Sequence, residues 1–303
     1  MKPDFICIGA QKAGTSWLYE MISNHPECAM PPVKELHYFD RSTDYPSTNV
    51  LSKTRLIVRL KKMRYLARCF VRISRAILRL NFKHAKWWIR YHFSDFSDSW
   101  YLDLFQSESL ITGDITPSYA LLNEADVKRM KELLPDVKLV FILRNPICRA
   151  WSMLKMRAGK SGNDTVLSDF RAFKRAVDSN SQSLRSDYIR TIDLYSKYFD
   201  QTNVLIGFFD AIEENPKELL DEICNHIGCN QAFYPDSMSK PVNQSVTAEI
   251  PKEFLDYLND KYRDDITELA NRYGTYANKW LQELDASSED VDGSEHLTPV
   301  VHP

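Results

Sequence analysis

No apolar run in this 303-residue chain reaches the ~20 residues that a membrane-spanning helix needs. A signal peptide is missing too: Met1-Lys2-Pro3-Asp4 leads directly into a strand-like run, so a cytoplasmic location is expected. The six cysteines (Cys7, Cys28, Cys69, Cys148, Cys224 and Cys229) show no metal-ligand pairing in their spacing, and several lie in apolar stretches. They read as reduced, buried thiols, with no metal expected; Cys224 and Cys229 are close enough to leave one bridge open. Acidic residues are absent from one segment. Lys53 to Arg90 contains thirteen Lys/Arg and no Asp/Glu, so with a formal net charge of −2 the other residues, 26 Lys/Arg against 41 Asp/Glu, carry −15. A concentrated cation is set on an acidic body. No internal repeat is evident.

Glycine is sparse, yet Gly9 and Gly14 bracket the segment around which the chain is organised, Phe5-Ile6-Cys7-Ile8-Gly9-Ala10-Gln11-Lys12-Ala13-Gly14-Thr15-Ser16-Trp17-Leu18. An apolar strand enters a loop, and a helix starts at Thr15-Ser16. Backbone N–H groups at a helix N-terminus present partial positive charge to an anion, and glycine lets the main chain approach it. The spacing is near that of a nucleotide-triphosphate P-loop, but the lysine stands inside the loop as Lys12 instead of after the second glycine, which weakens a reading as an ATP or GTP hydrolase. Further along, Pro31-Pro32-Val33-Lys34-Glu35-Leu36-His37-Tyr38-Phe39-Asp40 reads as extended after its prolines. If Thr54 to Leu80 is helical, Lys61, Arg64, Arg68, Arg72, Arg75 and Arg79 share one face, with Met63, Leu66, Phe70, Ile73 and Ile77 opposite. Such a helix suits a solvated face packed on the domain, an anionic acceptor, an anionic membrane surface or a partner. Val137 to Leu143 is an apolar run broken only by Lys138, as in a central parallel strand, and it delivers Arg144-Asn145-Pro146 to the sheet's C-terminal edge. Asn145 can cap the next helix, and Pro146 suits its first position.

Taken together these segments resemble the sulfotransferases that use 3′-phosphoadenosine 5′-phosphosulfate (PAPS), nearest the heparan-sulfate and carbohydrate type and its bacterial relatives. Gln11-Lys12-Ala13-Gly14-Thr15-Ser16 is similar to the family's 5′-phosphosulfate loop, Lys34 to Asp40 to its K-E-x-H-[FY]-F-D signature, Thr116-Pro117-Ser118-Tyr119 to its second substrate-side segment, and Arg144 with Ser152 to its 3′-phosphate motif. The resemblance covers roughly residues 4 to 280 apart from the basic insertion. It implies an α/β, P-loop-like three-layer fold with a mainly parallel sheet between helices. Length and composition suggest one domain over 1–284 with a basic helical insertion at about 51–95, followed by an acidic, Ser-rich tail over 285–303 that is expected to be disordered. Lys12, Glu35 and His37 would be catalytic, with Glu35 as base; Lys12, Ala13, Gly14, Thr15, Ser16, Trp17, Arg144, Ser152 and Lys240 would hold PAPS, without a metal. The acceptor would be a glycan or small molecule with a hydroxyl or amine, not nucleic acid. Two departures stand out: Ile115 replaces a lysine common in heparan-type enzymes, and the usual K-G-R triplet is missing near Lys240. The alternatives are a P-loop nucleoside or small-molecule kinase, and a non-enzymatic polyanion- or membrane-binding protein using the basic helix.

Overall fold

The computed structural model describes residues 1–46, 56–105, 107, 109–230, 232–238, 250–285 and 297–303. A five-stranded sheet in the order β2-β1-β3-β4-β5 forms its centre. Strands β1 (Phe5–Gly9), β2 (Gly113–Ile115), β3 (Lys138–Leu143) and β4 (Val204–Phe208) run parallel, and β5 (Val300–Val301) is antiparallel to β4. Parallel strands need crossovers, and helices on both faces leave no polar side to the sheet. This is why β1, β2 and β4 are buried along their whole length and β3 along all but Lys138. The chain moves from β1 to β2 on one side and then returns past β1 to β3. Loops after β1 and β3 therefore diverge at the sheet's C-terminal edge and leave a crevice there.

Helix α1 (Thr15–Asn24) follows β1. The insertion then contributes α2 (Leu56–Leu60), α3 (Met63–Leu78) and α4 (Phe82–Phe93), with α5 (Asp98–Leu102) leading to β2. Between β2 and β4 lie α6 (Glu124–Leu133), α7 (Pro146–Ser161), α8 (Thr165–Ser168), α9 (Phe170–Val177), α10 (Asn180–Ser186) and α11 (Tyr188–Ser196); α12 (Asp210–Glu214), α13 (Pro216–Ile227), α14 (Lys252–Tyr273) and α15 (Thr275–Asp285) follow. The α/β architecture expected from the sequence is present.

Two expectations are corrected by this arrangement. The basic helix is broken at Lys61-Lys62, and α3 does not pack through the middle of its apolar stripe. Its inward line is Tyr65, Cys69 and Ala76, with Leu66 and Ile73 half-buried, while Met63, Phe70 and Ile77 are 77%, 73% and 46% exposed. At about 100° per residue, the buried line lies roughly a third of a turn from the exposed apolar one. Nor is 285–303 uniformly a disordered tail: Asp285 closes α15, and Val301 and Val300 pair with Ile206 and Gly207 of β4.

Candidate active site

The loop between β1 and α1 is shaped by its backbone. Gly14 sits at φ 81°, and a Cβ there would stand 2.3 Å from Ile212 Cδ1 and 3.2 Å from Phe209 Cδ2, so glycine alone lets the loop close on the start of α12. No side chain caps α1. The first-turn N–H groups of a helix have no partner within it, so those of Thr15, Ser16 and Trp17 offer a cradle that could hold an anion at the positive end of the dipole. Ala13 is buried, and its N–H donates to the Ala10 carbonyl at 3.2 Å. Trp17 is also buried, and its indole N–H donates to the Met238 carbonyl at 3.0 Å, leaving only its main-chain N–H for a ligand.

Arg144 connects this loop to the end of β3. Its Nη1 donates to the Lys12 carbonyl at 3.0 Å, its guanidinium lies 4.1 Å from the centre of the Phe209 ring, and its own carbonyl accepts from the Tyr188 hydroxyl at 2.9 Å. Asn145 caps α7 by accepting from Ile147 N–H at 3.0 Å, with Pro146 in the first helical position, as the sequence indicated. Ser152 lies in the second turn of α7 and is buried. Burial, followed by the charges of Arg144, Lys160, Lys155 and Lys34, holds the Lys12 ammonium below its ordinary lysine value. Such repulsion between cations is relieved by a polyanion.

Across from the cradle, Lys34, Glu35, His37 and Asp40 form a chain of charged groups. Lys34 Nζ reaches Thr15 Oγ1 at 3.2 Å, Ser16 Oγ at 3.3 Å and Glu35 Oε1 at 3.0 Å. His37 Nε2 lies 3.5 Å from Glu35 Oε2, and its Nδ1 lies 2.7 Å from Asp40 Oδ2, a carboxylate with a fully buried side chain. Burial alone would raise the Glu35 pKa, but hydrogen bonds from His37 and Lys34 and the Lys34 charge bring it down to about 2. Burial opposes the charged form of His37, whereas Asp40 and Glu35 bring its pKa up to about 9. Glu35 and His37 take φ values of 68° and 55°, and Lys12 takes 74°. These are left-handed conformations that non-glycine residues seldom adopt, and they gather at functional sites when the surroundings enforce them. The Glu35 N–H donates to the Ile115 carbonyl at 3.1 Å, which ties the segment to β2; the Ile115 side chain is buried.

The fold thus brings together Lys12, Gly14, Thr15, Ser16, Arg144, Glu35 and His37. Lys240 lies outside the described residues. The sequence places Lys34 and Asp40 inside the K-E-x-H-[FY]-F-D signature but does not reveal the hold of Lys34 on the Thr15 and Ser16 hydroxyls or the contact of Asp40 with His37. Nor does it reveal Arg185, whose Nε donates to Gln11 Oε1 in the loop, a partner 174 positions away. Nothing local signals that pairing. Asp114 accepts from Thr116, Tyr119 and Tyr101 at 2.7, 2.8 and 3.1 Å and is buried, so it holds the end of β2 in place.

Comparisons with known proteins bear on the family and the fold. The chain is 28% identical over 138 residues to human heparan sulfate glucosamine 3-O-sulfotransferase 6, a match spanning 43% of this chain but only 39% of that protein. Its fold is similar to a sulfotransferase from Alicyclobacillus acidocaldarius (TM-score 0.63, 19% identity, 92% of this chain and 99% of that one). It also resembles the sulfotransferase domain of the Synechococcus PCC 7002 olefin synthase (TM-score 0.50, 17% identity, 84% and 82%). A model described as the sulfotransferase family matches residues 3–233, well over half of the sequence, and the chain belongs to that family.

Proposed function

We propose that the protein transfers a sulfuryl group from PAPS to an acceptor hydroxyl, on a carbohydrate or small molecule, with an amine as the other acceptor chemistry. The observation that carries this reading is the Lys34 ammonium, shared between the two hydroxyls of the anion cradle and the Glu35 carboxylate. A phosphosulfate in the cradle would draw Lys34 toward itself and away from Glu35. A carboxylate with a pKa of about 2 is a poor base, and losing that cation raises its basicity as the donor arrives. Glu35 then takes the acceptor proton while the acceptor oxygen forms its bond to sulfur and the bond from sulfur to the 5′-phosphate oxygen breaks. Lys12 and the first-turn amides of α1 neutralise the charge left on that oxygen. Arg144 supplies a planar donor fork for the 3′-phosphate, and Ser152 a hydroxyl.

The test is transfer of labelled sulfate from PAPS, without added Mg²⁺, onto a panel of glycans, phenols, lipids and amines. Labelled product is expected; Mg²⁺-dependent phosphoryl transfer from ATP with no sulfate transfer would make the protein a kinase instead.

The same reading includes peripheral contact with an anionic membrane surface. Beside the exposed Met63, Phe70 and Leu78, the last 82% exposed, Arg64, Arg68, Arg75 and Arg79 form no ion pair among the described residues. An apolar strip flanked by unneutralised arginines matches the boundary between acyl chains and anionic headgroups. No helix among the described residues is long and apolar enough to cross a membrane. A cytoplasmic location is part of this proposal.

A further inference from the structure

The chain turns sharply at two points well away from the cradle, and the two turns meet. After α1 the segment His25-Pro26-Glu27-Cys28 closes with Cys28 N–H donating to the His25 carbonyl at 3.1 Å. Helix α13 ends where Gly228 adopts φ 95°; Gly228 N–H reaches the Asn225 carbonyl at 3.2 Å and Cys229 N–H the Cys224 carbonyl at 2.8 Å. This pattern reverses the chain at a helix end and returns Cys229 beside Cys224. Glu27 Oε2 accepts from Asn230 N–H at 2.7 Å, joining the turns.

Four donor side chains gather between them. Cys28 Sγ lies 3.7 Å from Cys229 Sγ, and ligand atoms of His25, Cys224 and Cys229 lie within 4.8 Å of one another. His25 and all three cysteines are buried. Tetrahedral zinc, with Zn–S bonds of about 2.3 Å, sets neighbouring sulfurs about 3.8 Å apart, and Cys₃His is one of its structural ligand sets. We propose that His25, Cys28, Cys224 and Cys229 form a structural Zn²⁺ site that clamps the end of α1 to the end of α13.

The spacing alone, His-x₂-Cys and Cys-x₄-Cys separated by almost two hundred residues, conceals the set. Glu27 N–H donates to His25 Nδ1 at 3.2 Å, a contact that the imidazole exchanges for the metal on binding. A disulfide would join two of the three sulfurs, whereas one metal engages all three together with the imidazole. Coordination releases the thiol protons to solvent, so binding is favoured by rising pH. The site stands about 15 Å from the cradle, ten residues along α1 at about 1.5 Å each, and acts through the seating of that helix.

Emission analysis of the full chain, purified from zinc-supplemented cells without chelator, should find about one zinc per chain. Cys28→Ser and Cys229→Ser should lose it, and Cys148→Ser should keep it. A strong chelator should lower the melting temperature, with recovery on adding Zn²⁺ but not Mg²⁺. Cobalt added to the stripped wild-type chain should give a thiolate charge-transfer band, a reading that holds even if the variants do not fold. No bound zinc and no cobalt band, with all six thiols titrating in denaturant, would overturn the proposal. So would mass-spectrometric detection of a disulfide joining two of the three cysteines.

Discussion

His37 is the most direct probe of the charged chain opposite the cradle. Its imidazole is 14% exposed and bridges the buried Asp40 carboxylate and Glu35. Replacing it with glutamine keeps an N–H for Asp40 but removes the charge. The rise in pKa from 6.5 to about 9 means the folded protein holds this proton more tightly than the unfolded chain does. At about 1.4 kcal/mol per tenfold change in the constant, the imidazolium contributes on the order of 3 kcal/mol. That contribution is complete below pH ~6.5, declines as the unfolded chain loses its proton above that value, and is gone once pH has risen through about 9. Urea unfolding of the wild type and His37→Gln at pH ~6 and ~9.5 measures it, since the m value should not change and the midpoint alone should move. The gap between the two proteins should be about 3 kcal/mol at the lower pH and close to zero at the higher. An equal gap at both values would mean that His37 is neutral in the folded protein, and the ionic chain from Lys34 to Asp40 would have to be abandoned. In the wild type kcat/KM should also fall on the alkaline side near pH 9, with that limb missing from the variant.

Glu35→Gln should lower kcat by about 10²–10⁴-fold with donor affinity retained, the range for a lost general base, and steady-state kinetics with near-normal kcat would remove Glu35 from the chemistry. Arg144→Ala should weaken calorimetric binding of adenosine 3′,5′-bisphosphate by about 1.5–3 kcal/mol; an equal loss for the nucleotide lacking the 3′-phosphate would place the guanidinium elsewhere. Phe70→Asp with Leu78→Asp should abolish sedimentation with phosphatidylserine vesicles and leave the melting temperature unchanged, because both side chains already face water. Undiminished sedimentation would show that α3 takes no part in membrane contact.

The sequence made the site legible wherever its chemistry is local. Gly9, Lys12, Gly14 and Thr15 occupy one turn of chain, and Arg144 follows an apolar strand whose burial any doubly covered sheet requires. Lys34 was harder, because its contacts to Thr15 and Ser16 arise only when an extended segment is laid back over α1. Cys28 and Cys229 are 201 positions apart, and spacing rules that look for close pairs cannot see them. The amphipathicity of α3 was readable, but its orientation was not. A hydrophobic stripe says which side chains avoid water in isolation, whereas the packing of Tyr65, Cys69 and Ala76 decides which side meets the domain.

The short strand β5 has a bearing on how the protein can be handled. Val204–Phe208 is apolar throughout and would otherwise end the sheet with a row of unpaired main-chain groups. Val300 and Val301 cover the part of that row at Ile206 and Gly207, running antiparallel to it. An exposed, flat, hydrophobic edge is a template on which another molecule can add a strand. Trimming the chain after residue 296 would therefore leave every side chain of the candidate site in place and still produce a protein that self-associates as it is concentrated. Light scattering of the trimmed and full-length proteins at matched concentration would show it.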